Sequence, residues 1–148
     1  MEEKGKTRAL IQKMLKIFLI AFGILVVAAI AFTFFKIDTD GRHALREAKN
    51  VKLALRTIDI EYYGKGSTVY NPESMNGLSP GVIEEVRKLM PSSEGEVTIL
   101  SYDKKKREIT GLLYITGHYQ IIYLEDKDKT EWSINYMWQI ANFVEDKD

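Results

Sequence analysis

The chain predicts an α+β fold: an N-terminal transmembrane helix, then an amphipathic helix, a short helix and a four-stranded antiparallel meander. Three observations predict it. Ile17 to Phe35 is an uninterrupted apolar run of nineteen residues without a charge. From Ala44 the apolar positions recur at spacings of four and three, the period of a helix buried along one stripe. From Glu96 the period changes to two, the mark of strands with one wet face.

The apolar run comes first. At 1.5 Å per residue a helix of that length is about 28 Å long, close to the roughly 30 Å of bilayer hydrocarbon. The sequence therefore divides into a basic tail (1–16), a span (17–35) and an α+β domain (36–148) large enough for one core. The tail carries Lys4, Lys6, Arg8, Lys13 and Lys16 against Glu2 and Glu3, a net charge of +3, so the remainder is −3 in a chain that is neutral overall. Lys36 to Asn50 holds four basic residues against the tail's five. The denser basic flank predicts a cytoplasmic amino end and an extracytoplasmic carboxyl domain. A cleavable signal peptide is the competing reading, because Ala29-Ile30-Ala31 has the small-x-small form of a cleavage site. The run continues through Phe35, however, and exceeds a signal core of 7 to 15 residues, which favours an uncleaved anchor.

Asp38-Thr39-Asp40-Gly41 interrupts the apolar pattern and predicts a bend or restart, with Asp40 as the cap. The helix after it places Ala44, Ala48, Val51, Leu55, Ile58 and Tyr62 on one stripe. The charges around it, including Lys52, Arg56, Asp59 and Glu61, form a solvated face, and Gly64 is a left-handed stop. Gly64 to Ser79 is a sixteen-residue loop rich in turn formers, with Val69 and Tyr70 tucked against the core. Its Gly64-Lys65-Gly66-Ser67 follows a helix and lacks the spacing of a phosphate loop. Ser79-Pro80 reads as cap and first position of a short helix through Met90, which Pro91 ends.

Four strands follow: Glu96 to Tyr102, Glu108 to Thr116, His118 to Leu124 and Glu131 to Trp138. Their short connections predict antiparallel neighbours. One face collects Val97 and Ile99; Ile109, Gly111, Leu113 and Ile115; Tyr119, Ile121 and Tyr123; and Trp132, Ile134, Tyr136 and Trp138. Leu100, Leu112, Ile122 and Leu124 have the opposite parity and give the second face an apolar part, to be covered by the short helix or by a partner. Ile140, Ala141, Phe143 and Val144 form a last apolar segment.

No catalytic constellation emerges. His43 and His118 have no neighbouring Asp or Ser in triad-like spacing, and with no cysteine there is no disulfide, thiolate metal site or thiol nucleophile. Glu125, Asp126, Asp128 and Glu131 lack the glycine and spacing of a calcium loop and alternate with lysines, so they read as a solvated turn. Lys104 to Arg107 reads as a soluble hairpin tip, since no aromatics interleave it and the charge balance gives no nucleic-acid footprint. No cofactor, metal or catalytic residue is expected. The expected partners are membrane lipid along residues 17–35 and a protein partner or a second copy, with Tyr70, Leu100, Leu112 and Ile122 as the candidate contacts.

The order of parts, with RHALREAKNVKLALRTIDIEYYG leading into a loop and a meander, resembles the type IV pilins and the pseudopilins of type II secretion systems. The resemblance implies an apolar helix that holds the subunit in the membrane and a sheet domain that faces outward. In pilin precursors a glycine precedes the apolar stretch, an aromatic or Met comes next, and a glutamate stands at the fifth mature position. Here Lys6 follows Gly5, and the only acid before Asp40 and after Glu3 is Asp38, beyond the apolar run. A permanently anchored pilin-like protein of an envelope or secretion assembly fits better than a filament-forming pilin. A second reading is a membrane-tethered ligand-binding module whose pocket lies under the 64–79 loop, walled by Tyr62, Tyr63 and Tyr70. An enzyme is the third.

Overall fold

The computed structural model describes residues 2–126 and 129–137, with side chains from residue 11 onward. Its elements are α1 (Glu2–Gly64), α2 (Val82–Leu89), β1 (Glu96–Asp103), β2 (Glu108–Thr116), β3 (Tyr119–Asp126) and β4 (Lys129–Tyr136). The chain separates into two compact units, Met1–Asp40 and Gly41–Asp148.

The first unit is helical from Glu2. Its apolar residues are bare: Phe18, Leu25, Phe32 and Phe35 are each about two-thirds exposed, and none of the most apolar stretch is buried. The hydroxyls of Thr33 and Thr39 donate to the carbonyls of Ala29 and Phe35, both at 2.9 Å, which satisfies them without water. This is a helix long and apolar enough to cross a membrane.

The expected restart at Asp38–Gly41 does not occur. Residues 38–41 are helical, so Asp40 is no cap. Gly41 serves a packing purpose instead: it is buried, and a Cβ there would lie 3.2 Å from a ring carbon of Tyr119. Glycine lets β3 bring that ring against the helix backbone.

Within the second unit the predicted stripe is the spine of the core. Ala44, Ala48, Val51, Leu55 and Ile58 are buried, and Tyr62 is partly so. The left-handed residue at the helix end is Gly66 (φ 73°), not Gly64. Ser67 N–H donates to Tyr62 O and Gly66 N–H to Tyr63 O, both at 2.9 Å, the paired bonds of a Schellman motif that satisfies the last carbonyls. The following loop is pinned by a Tyr70–Leu78 bridge, by buried Val69 and Leu78, and by Ile99 N–H donating to Asn76 O at 2.9 Å. At the start of α2 the Ser79 hydroxyl donates to Thr68 O at 2.7 Å and caps nothing. Gly81, with φ 86°, opens the helix, and Val82 and Val86 face inward.

The four strands form an antiparallel sheet in the order β1-β2-β3-β4, a meander as predicted. β4 lies two residues earlier than expected, and Trp138, with the apolar segment 140–144, falls outside the described residues. The buried face differs from a simple alternation. Ile99 pairs with Leu112, Ser101 with Gly111 and Tyr102 with Ile109, so Leu100 is skipped on β1 and Thr110 on β2. Each skip inverts the side-chain parity of its strand. The two cancel in register but not in facing: Leu112 and Tyr114 turn inward, while Leu113 turns outward. Gly111 permits the crossing, because a Cβ there would overlap the Ser101 hydroxyl.

Candidate functional site

Two surfaces of the second unit remain once the core is assigned. The first is a cleft between residues 52–59 of α1 and the sheet, and its anchor is Asp59. Expected on the solvated face, Asp59 is 4% exposed. Its Oδ1 accepts from the Thr68 hydroxyl (3.1 Å), Val69 N–H (3.0 Å) and Arg107 Nη2 (3.2 Å), and its Oδ2 from the Tyr102 hydroxyl (2.7 Å). A buried carboxylate needs such partners to remain charged. One side chain therefore ties the helix to the loop, β1 and the β1–β2 turn.

The basic run is correspondingly divided. Asp103 Oδ1 accepts the N–H groups of Lys105 and Lys106 at 2.8 and 3.1 Å, and those bonds hold its carboxyl below the usual range. Arg107, left-handed at φ 56°, folds back. One nitrogen reaches Asp59 and, at 2.9 Å, Ser67 O, while its guanidinium stacks 4.6 Å from the Tyr63 ring centroid.

Beyond this anchor lies a hollow of about 290 Å³. Lys52 Nζ stands 3.5 Å over the Tyr123 ring and 3.9 Å from Glu125 Oε2, which also accepts the Tyr123 hydroxyl. Burial lowers the Lys52 pKa, and Glu125 and Glu108 oppose that shift. Burial likewise raises the Tyr123 phenol, helped by its bond to Glu125. Trp132 packs on Tyr123 with centroids 4.7 Å apart. Arg56 and Glu108 line the same hollow and make no hydrogen bond or ion pair among the described residues.

The second surface is the outward sheet face. Leu100 (47% exposed) and Leu124 (50%) stand there with half-buried Leu113 and Ile122, and no described element covers them. Of the candidate partner residues, Leu100 and Ile122 are on this face. Leu112 is not a surface contact: it is fully buried in the core, where its register opposite Tyr123 turns it inward. Tyr70 packs on the core and stacks on Tyr102 at 5.3 Å. Nor do Tyr62, Tyr63 and Tyr70 wall a loop pocket: Tyr62 donates to Pro80 O at 3.4 Å, and Tyr63 lies beside Arg107. His43 is exposed on α1, and the His118 ring lies 5.9 Å from Tyr136. Among the described residues no group of three or more His, Asp or Glu side chains is arranged to hold a metal ion.

Tyr114 offers a test of the core beside these surfaces. It is fully buried, shares a 2.7 Å hydrogen bond with Ser93, and has its phenol pushed up from 10.0 to about 12, chiefly by burial. A phenol that ionises more readily in the unfolded chain favours folding below pH 10, and this contribution is lost as pH rises toward 12. Thermal melts between those values should fall less steeply for Tyr114→Phe than for the parent. Equal slopes would mean that Tyr114 does not ionise late.

No protein-family model, no curated protein and no solved structure matches the chain.

Proposed function

We propose that the protein is a single-pass, pilin-like membrane protein, held by residues 17–35 with its C-terminal unit outside the cytoplasm. It acts as a structural or interaction component of a cell-envelope or secretion assembly and not as an enzyme. The observation that carries this reading is the bare apolar helix: nineteen charge-free residues exposed on all sides are stable in lipid, whereas in water such a surface would drive aggregation. The basic tail supports the orientation. Leu100, Leu113, Ile122 and Leu124 supply a patch suited to a protein partner or a second copy.

Two measurements test it. Mass spectrometry of the amino terminus in carbonate-washed membranes should find residues 1–16 retained, whereas a start at Phe32 would remove the anchor and overturn the reading. A photo-cross-linking residue at position 124 should give discrete protein adducts in membranes that the same probe at exposed Glu73 does not give. Matching adduct patterns would rule out the outward face as the docking surface.

A further inference from the structure

The cleft beside Asp59 has groups that the fold does not use. Arg107 and Asp59 are paired, and Lys52 leans toward Glu125, yet Arg56 and Glu108 stand at the same hollow with no hydrogen bond or ion pair among the described residues. The lining is charge-balanced, with Lys52, Arg56 and Arg107 facing Asp59, Glu108 and Glu125. A compact anion would meet three carboxylates and a compact cation three bases. An apolar occupant would bury Lys52 and Glu108 without replacing their water. The lining suits an uncharged occupant whose groups both donate and accept, and hydroxyls do both.

Shape narrows this further. Ile109 and Tyr123 are buried beneath the hollow, and half-buried Trp132, packed on Tyr123, is the aromatic side chain of the lining against which the C–H face of a pyranose can lie while its rim hydroxyls reach the charged groups. A second hollow of about 210 Å³ shares Arg56, Asp59, Arg107 and Glu108 with the first and has Tyr63, 65% exposed, on its wall. The two hollows adjoin across these four shared residues, with an aromatic residue in the lining of each, Trp132 in the first and Tyr63 in the second.

We infer that this groove binds a linear, uncharged oligosaccharide, with Arg56 donating to and Glu108 accepting from its hydroxyls and Trp132 and Tyr63 flanking successive sugar units. The site is separate from the outward sheet face and does not depend on a partner there.

The test uses the full chain in phospholipid nanodiscs, free of glycoside detergent. Saturation-transfer NMR and tryptophan fluorescence would follow titration with an N-acetylglucosamine tetramer and a maltotetraose. At least one tetramer should saturate the protein and bind about tenfold more tightly than its monosaccharide. Arg56→Ala and Glu108→Gln should each weaken it about tenfold, the loss of one hydrogen bond to a charged group. Neither side chain is bonded among the described residues, so circular dichroism should be unchanged. Leu124→Glu should bind as the parent does, which separates this site from the docking face. Binding of neither tetramer, unaltered affinity in both variants, or competition by inorganic phosphate or glycylglycine would overturn the assignment.

Discussion

Asp59→Ala is expected to lower the stability of the C-terminal unit by about 3 kcal/mol, measured by urea unfolding in nanodiscs. The substitution removes the acceptor of four donors at once: the Thr68 hydroxyl, Val69 N–H, the Tyr102 hydroxyl and Arg107 Nη2. The Val69 bond is buried, so its N–H would be left without water or partner. Arg107, with its side chain 31% exposed, keeps Ser67 O and reaches solvent, which holds the cost near the lower end of the range for broken buried pairs. Asp59→Asn keeps one carbonyl acceptor and turns an NH₂ toward the remaining donors, so it should fall between Ala and the parent. A loss under about 0.5 kcal/mol for Asp59→Ala would place the variant with ordinary surface substitutions and contradict a structural role.

Asp59 also shows where sequence reading stops. The stripe from Ala44 to Tyr62 was legible because a helix has one period and its buried face obeys it. Asp59 lies one residue after Ile58 and four after Leu55, at the edge of that stripe, and an acid at such an edge is commonly wet. Its donors come from the loop, from β1 and from the β1–β2 turn, up to forty-eight residues away, and no local spacing encodes that convergence. The groove is illegible for the same reason: Arg56, Glu108 and Trp132 belong to three separate elements. The four strands were legible from period two and short connections, and the bare apolar helix from its length and want of charge. Gly41 was misread because glycine after two aspartates has the composition of a helix break, whereas the ring that explains it, Tyr119, is seventy-eight residues distant.

Leu112→Ala is expected to cost about 2–5 kcal/mol, while Leu100→Ala and Leu124→Ala each stay within about 0.5 kcal/mol. The contrast follows from the strand pairing. Residue parity alone groups Leu112 with Leu100, Ile122 and Leu124, but the two-residue β2–β3 turn pairs Leu112 with Tyr123 and so sets it on the face opposite Ile122 and Leu124. In the pairing observed, Leu100 and Thr110 drop out of register on opposite strands. Residues before the skip on β1 and after it on β2 are therefore carried to the other face. Leu112 then lies opposite Ile99 inside the core with no exposed surface, so its truncation leaves a cavity. Leu100 and Leu124 stay about half exposed, and truncating them removes surface that water already reaches. If all three variants lose similar stability, the outward face is covered in the folded protein and cannot be the docking surface. If Leu112→Ala is as mild as the others, Leu112 does not lie opposite Tyr123 in the core. Losing stability only at Leu112, while losing photo-adducts at position 124 when Leu100 is made Glu, would assign one leucine to the core and its two neighbours in the pattern to a partner.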